Sequence, residues 1–177
     1  MIKKFNVMIT PFALERRIHL YLPDNYDYSD ERYPVMYMYD GHNLFDDEDA
    51  TYGKSWGLKE YLDHKKAQLI VVGIECSHEG RERLNEYCPY TLKGSRLGDI
   101  EGKGEIYMDW VVNELKPYID AHYRTIPFRE CTGIAGSSMG GLMALYTVIK
   151  YNNYFSKAAC LSSSISICKD QLLDEMK

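Results

Sequence analysis

A serine flanked by glycines stands out as a residue that can do chemistry. Residues 136–141 read Gly-Ser-Ser-Met-Gly-Gly, a Gly-x-Ser-x-Gly motif centred on Ser138. The apolar residues before it predict a strand, and those from Met139 onward predict a helix. A serine at a sharp turn between a strand and a helix is typical of a nucleophile elbow, where the hydroxyl attacks a carbonyl carbon. The alternative is a Gly/Ser-rich turn without chemistry.

Steric and electrostatic effects explain why a nucleophile elbow needs these residue types. The nucleophile of such a turn has a strained backbone, and larger residues at Gly136 and Gly140 would collide with the adjoining strand and helix. The first free N–H of the helix, that of Met139, would point at the place where an oxyanion develops. The sequence therefore predicts Ser138 as a nucleophile and the Met139 N–H as an oxyanion donor.

A second oxyanion donor is expected after the third predicted strand. Residues 40–45 there read Asp-Gly-His-Asn-Leu-Phe, and Gly41 permits close approach of the backbone. The N–H of Gly41 or of His42 is our candidate for this donor. The alternative interpretation is a tight turn with no functional role.

Strands and helices alternate along the sequence, which predicts an α/β fold with a mostly parallel sheet and helices on both faces. We find no linker and expect a single domain. Glu75–Lys103 has no sustained periodicity and is predicted to be a long loop, and Pro117 is predicted to kink or shorten a helix that starts at Gly104. The predicted strands are Lys4–Ile9, Leu14–Leu22, Pro34–Asp40, Gln68–Ile74, Cys131–Ala135 and Lys157–Ser162, and the other predicted helices are Trp56–Lys65 and Met139–Tyr151.

Composition excludes several classes of protein. The 177 residues are 45% hydrophobic and 27% charged, with a net charge of −5 and no basic cluster, so a nucleic-acid partner is not expected. No apolar run is long enough to span a membrane, no secretory leader is evident, and we expect a cytoplasmic protein. The five cysteines include no Cys-x-x-Cys pair, which argues against structural zinc or a disulfide framework.

Four segments in order resemble the putative-esterase family of α/β-hydrolases, which includes enterochelin esterases, esterase D-like enzymes, some feruloyl and acetylxylan esterases, and mycolyl transferases. They are residues 39–45, 85–89, 114–120 and 136–141, within a resemblance that runs from about Tyr21 to about Ser164. The resemblance implies a serine hydrolase of carboxylic esters, with a small-molecule ester as partner and with neither a cofactor nor a metal. It also implies a sheet ordered 1-2-4-3-5-6-7-8. It also implies that Ser138 is the nucleophile and that the Met139 N–H lies in the oxyanion hole.

The sequence departs from that family in its histidines. The family order is serine, then acid, then histidine, whereas all five histidines here precede Ser138. We therefore expect a single domain over residues 1–177 that lacks the last strands and helices, together with the catalytic acid and histidine. In a parallel sheet the active site lies beyond the carboxyl ends of the strands, which we call the catalytic edge. Of the histidines present, His42 and His78 follow strands at this edge, and we consider both weak candidates for the base.

Two other functions remain open at this point. One is a catalytically silent α/β-hydrolase fragment or binding module, and the other is an acyltransferase of the same fold. We also expect the sixth strand to lie at an exposed edge of the sheet. Its segment from Ala158 to Ile165 carries no charge to deter pairing, so self-association through that edge is a prediction.

Overall fold

The computed structural model describes residues 1–177, which form a six-stranded mixed sheet. The strands of this sheet are β1 (Ile2–Ile9), β2 (Leu14–Tyr21), β3 (Val35–Tyr39), β4 (Ile70–Ile74), β7 (Thr132–Ser137) and β8 (Lys157–Leu161). They lie in the order β1-β2-β4-β3-β7-β8. Strands β4, β3, β7 and β8 pair in parallel. Strand β2 is antiparallel to β4, and β1 is antiparallel to β2. The six predicted strands are confirmed within one or two residues at most ends, and the sheet order is the expected one.

Helices cover both faces of the sheet, as the alternation predicted. One apolar cluster of seven buried residues packs Leu62 of the first helix against side chains such as Met38. The opposite face carries 34 buried residues, among them Tyr37 and Tyr39, and the remaining long helices pack there. The helices are α1 (Leu58–His64), α2 (Glu82–Glu86), α3 (Gly104–Trp110), α4 (Lys116–His122), α5 (Met139–Lys150) and α6 (Lys169–Glu175).

The central strands form because their apolar residues are buried on both faces. Every residue of β4 is buried, and β3 has only Met36 partly exposed. A strand covered on both sides reads as a continuous apolar run instead of an alternating one. Within β3, successive side chains reach opposite faces, so Met38 and Tyr39 belong to different apolar clusters.

Two predictions about local structure are wrong. The segment predicted as a loop, Glu75–Lys103, contains α2 and a two-stranded ribbon of β5 (Leu92–Ser95) and β6 (Gly98–Ile100). These elements have three to five residues, too few to show a periodicity. The second is the shortening of the helix at Pro117, since the helical path that starts at Gly104 runs through a π-helical turn over Val111–Leu115 and on to His122. A kink at Pro117 stays a prediction.

Strand β8 lies at the edge of the sheet, as expected, and pairs only with β7. Self-association through this edge stays a prediction. No helix in the structure combines the length and the apolar character that crossing a membrane requires.

Candidate active site

Ser138 occupies the single residue between β7 and α5, with φ 57° and ψ −117°. A positive φ is unfavourable for a residue with a Cβ, by about 1–3 kcal/mol, and persists only where the surroundings impose it. Hydrogen bonds supply that constraint. The Ser138 N–H donates to the Leu161 carbonyl at 2.9 Å, and the Ser138 carbonyl accepts from the N–H groups of Leu142 at 3.1 Å and Ser164 at 3.0 Å.

The glycines on either side of Ser138 allow β7 and α5 to approach closely. A Cβ at Gly136 would lie 2.5 Å from the carbonyl carbon and oxygen of Gly140, which is far inside van der Waals contact. A Cβ at Gly140 would lie 3.0 Å from the Cβ of Tyr39 at the end of β3. The structure therefore contains the tight strand–helix junction that the motif predicted, with the end of β3 packed beside it.

The backbone N–H groups near this junction that have no hydrogen-bond acceptor include those of Met139, Gly41 and His42. The first belongs to the first turn of α5, where N–H groups lack partners within the helix. The other two follow β3, whose Met38 is the register partner of Ala135 in β7. Parallel pairing therefore brings residues 40–42 to the same sheet edge as Ser138, and both predicted donor positions carry free N–H groups.

An ion pair supports the turn after β3. Asp40 has a left-handed backbone, with φ 57° and ψ 46°, and its buried carboxylate accepts two hydrogen bonds from Arg83, at 2.7 and 2.8 Å. The Asp40 N–H donates to the hydroxyl of Tyr87 at 3.2 Å, and the guanidinium lies over that ring at 5.3 Å from its centre. Burial opposes the charge of Arg83, but the Asp40 carboxylate outweighs it and raises the pKa of the guanidinium.

Arg83→Lys is expected to lower the free energy of unfolding by about 1–2 kcal/mol, because a lysine cannot reproduce the paired N–H donors of the guanidinium. Urea unfolding monitored by circular dichroism measures the loss. Arg17→Lys is the matched control, since Arg17 is exposed and is expected to tolerate the change. Equal stability of the two variants would contradict a supporting role for the ion pair.

The histidines have partners other than Ser138. His42 Nε2 lies 3.0 Å from Thr51 Oγ1, His19 Nε2 lies 2.8 Å from Glu75 Oε1, and His122 Nδ1 lies 2.8 Å from a backbone carbonyl. The hydroxyl of Ser138 is 3.3 Å from the hydroxyl of Ser164, and no histidine hydrogen-bonds it.

His42 and His78 follow β3 and β4 at the catalytic edge, as predicted, and their rings meet edge to face with centres 4.6 Å apart. Burial lowers the pKa of His42, and the adjacent His78 lowers it further.

The role of Arg83 as a support for the site is not evident from the sequence. The charged residues around Arg83 in the sequence look like those of any exposed loop. Its partner Asp40 is 43 residues away along the chain. The identification of that pair required the folded structure. Ser164 was likewise not predicted to contact Ser138.

The sheet order and the strand–serine–helix turn define an α/β-hydrolase. The chain belongs to the family described as Putative esterase, whose match covers residues 12–173. It is 28% identical over 154 residues to the uncharacterized protein YbbA of Bacillus subtilis, covering 86% of this chain and 58% of that protein. It is 26% identical over 153 residues to esterase Rv1288 of Mycobacterium tuberculosis, covering 86% of this chain and 30% of that protein.

Solved structures agree on the fold. An IroE-like serine hydrolase from Shewanella oneidensis superposes with a TM-score of 0.78 at 22% identity, over 99% of this chain and 55% of that one. The siderophore hydrolase EstA from Aspergillus nidulans superposes with a TM-score of 0.74 at 18% identity, over 98% of this chain and 62% of that one. The chain thus spans between about a third and two thirds of the length of these relatives.

Proposed function

We propose that this protein hydrolyses carboxylic esters through an acyl-enzyme on Ser138. The observation that carries the proposal is the positive φ of Ser138 at the β7–α5 turn, next to a Met139 N–H that has no acceptor. A strained serine beside unsatisfied donors is the arrangement that acyl transfer through a nucleophile elbow requires. Membership of an esterase family supports the same conclusion.

The proposed reaction has two halves. The Ser138 oxygen forms a bond to the ester carbonyl carbon, the carbon–alkoxy bond breaks, and the alcohol leaves with the proton of the serine. Water then attacks the acyl group, releases the carboxylic acid and returns a proton to Ser138. In both halves the N–H of Met139 and that of Gly41 or His42 stabilise the oxyanion.

The proposal requires a base for the serine proton. None of the five histidines contacts the Ser138 hydroxyl. We therefore assign the role of base to a group that is not one of these five histidines in the positions they occupy here.

Acyl transfer to an alcohol would use the same steps, with the alcohol replacing water in the second half. The second alternative is a catalytically silent module. It is favoured by the contact of the Ser138 hydroxyl with the Ser164 hydroxyl, because a hydroxyl in that place is not a base.

Labelling with a fluorophosphonate tests whether Ser138 is activated. The phosphorus–fluorine bond breaks as the serine oxygen bonds to phosphorus, so we expect one stoichiometric adduct on the 20.6 kDa chain. Peptide mapping is expected to place it at Ser138, and Ser138→Ala is expected to remain unlabelled. Ser164→Ala is the control and is expected to keep the adduct. Equal labelling of Ser138→Ala, or no labelling of folded wild-type protein, would contradict the proposal.

Hydrolysis of p-nitrophenyl esters separates the enzyme from the silent module. Because binding and an oxyanion hole alone give about 10³- to 10⁴-fold catalysis over water, turnover must be compared with that of Ser138→Ala. We expect kcat to fall by at least about 100-fold in that variant. An equal rate in both proteins would support the silent module.

A further inference from the structure

Three side chains with nitrogen or sulfur donors converge at the catalytic edge of the sheet. His42 follows β3, Cys76 and His78 follow β4, and one donor atom from each lies within 4.8 Å of the other two. His42 and Cys76 are buried, with 3% and 5% of their surface exposed, whereas His78 is exposed. We propose that these three residues form a site for a divalent transition metal of the zinc type. The site does not depend on the proposed function.

The orientation of the His42 ring points to a ligand. Its Nε2 lies 3.0 Å from the hydroxyl of Thr51, whereas its Nδ1 is buried and has no hydrogen-bond partner. A buried polar atom without a partner costs about 1–3 kcal/mol. When Nε2 donates to Thr51, the lone pair of Nδ1 is available to a cation. Metal-bound histidines are held in this way by a hydrogen bond to their second nitrogen.

The surroundings suit a positive ion. The carboxylate of Glu75 lies between two histidines, with Oε1 2.8 Å from His19 Nε2 and Oε2 3.6 Å from His78 Nε2. This negative charge favours a cation, whereas burial and the Asp40 carboxylate raise the pKa of the Cys76 thiol to about 12, so the ion must displace the thiol proton. A surface cavity of about 210 Å³ is lined in part by Glu75, Cys76 and His78, two of which are proposed ligands.

The donor set selects the class of metal. Two imidazole nitrogens and one thiolate are borderline-soft ligands that suit Zn²⁺ and Co²⁺, whereas Ca²⁺ and Mg²⁺ prefer oxygen. Three protein ligands leave a fourth tetrahedral position for water. Binding replaces the proton of the Cys76 thiol, which passes to solvent.

The donors must move closer together to bind an ion. Zn–N and Zn–S bonds of about 2.0–2.3 Å place tetrahedral ligand atoms roughly 3.3–3.7 Å apart, whereas the present separations reach up to 4.8 Å. His78 can make this adjustment, because 58% of its side-chain surface is exposed and it lies outside the strands. A bound metal would then tie the loop after β3 to the loop after β4. The ligands of this site come from two loops, so the site leaves no Cys-x-x-Cys pair in the sequence.

Titration with Co²⁺ after treatment with a chelator tests the site. Wild-type protein is expected to bind one Co²⁺ with tetrahedral d–d bands and a thiolate-to-cobalt charge-transfer band, and Zn²⁺ is expected to displace it. Cys76→Ser is expected to lose the charge-transfer band. His78→Gln changes an exposed residue, is expected to fold normally, and should weaken Co²⁺ binding by at least about 10-fold.

Cys160→Ser is the matched control, because Cys160 is an exposed cysteine on β8 and not a proposed ligand. It is expected to bind Co²⁺ as the wild type does. Three results would overturn the proposal: no thiolate band in folded wild-type protein, the same band in folded Cys76→Ser, or unchanged affinity in His78→Gln. The His78 variant keeps the test decisive if Cys76→Ser does not fold.

Discussion

Gly41→Ala is expected to lower the free energy of unfolding by at least about 3 kcal/mol, the upper end of the usual cost of overpacking. A Cβ at this position would lie 2.3 Å from the carbonyl carbon of Gly73, 2.5 Å from its oxygen and 2.7 Å from the nitrogen of Ile74. All three atoms belong to the backbone of β4, so no change of rotamer can relieve the contact. The loop after β3 would have to move away from β4.

Gly80→Ala provides the matched control for this prediction. Gly80 has a φ of +49°, and a Cβ there would meet no atom within 4 Å. The variant is expected to lose only about 1 kcal/mol, the cost of a left-handed backbone with a Cβ. Urea unfolding of both variants measures the difference. If the two lose equal stability, steric contact with β4 is not the reason that position 41 holds glycine.

Glu86→Ala is expected to lower the free energy of unfolding by about 3–5 kcal/mol, the usual cost of removing one partner of a buried ion pair. Arg16 on β2 and Glu86 on α2 are 5% and 1% exposed, and their nearest nitrogen and oxygen are 2.5 Å apart. The second carboxylate oxygen of Glu86 accepts from the N–H of Ser77 at 3.1 Å. Removal of the carboxylate leaves a buried guanidinium without a counter-charge.

An exposed pair and a double variant separate charge burial from other effects. Asp174 and Lys177 lie 2.7 Å apart with 72% and 78% of their side chains exposed, so Asp174→Asn is expected to change stability by less than about 0.5 kcal/mol. The double variant Arg16→Met/Glu86→Leu is expected to regain most of the stability, because it removes both charges and fills the space. A double variant as unstable as Glu86→Ala would contradict this explanation.

Elements that depend on local sequence were predictable. The strands β3 and β4 read as apolar runs because both of their faces are buried. The turn at Ser138 was also predictable, since the glycines that relieve its steric contacts are two residues away on each side. The short elements α2, β5 and β6 were missed, because three to five residues carry no readable periodicity.

By itself, the sequence determined the α/β alternation and, through a family resemblance, the order of the strands. It predicted Ser138 as a nucleophile, with Met139, Gly41 and His42 as candidate donors. The alternation and the turn at Ser138 follow from residues that are adjacent or a few positions apart. Only the tertiary structure decided which side chains meet. The ion pairs of Arg83 with Asp40 and Arg16 with Glu86 join residues 43 and 70 positions apart, and the cluster of His42, Cys76 and His78 forms where two loops converge. The carboxyl ends of β3 and β4 meet at one edge of the sheet, and Arg16 comes from the start of the antiparallel strand β2. Spacing along the chain does not record which of these ends meet.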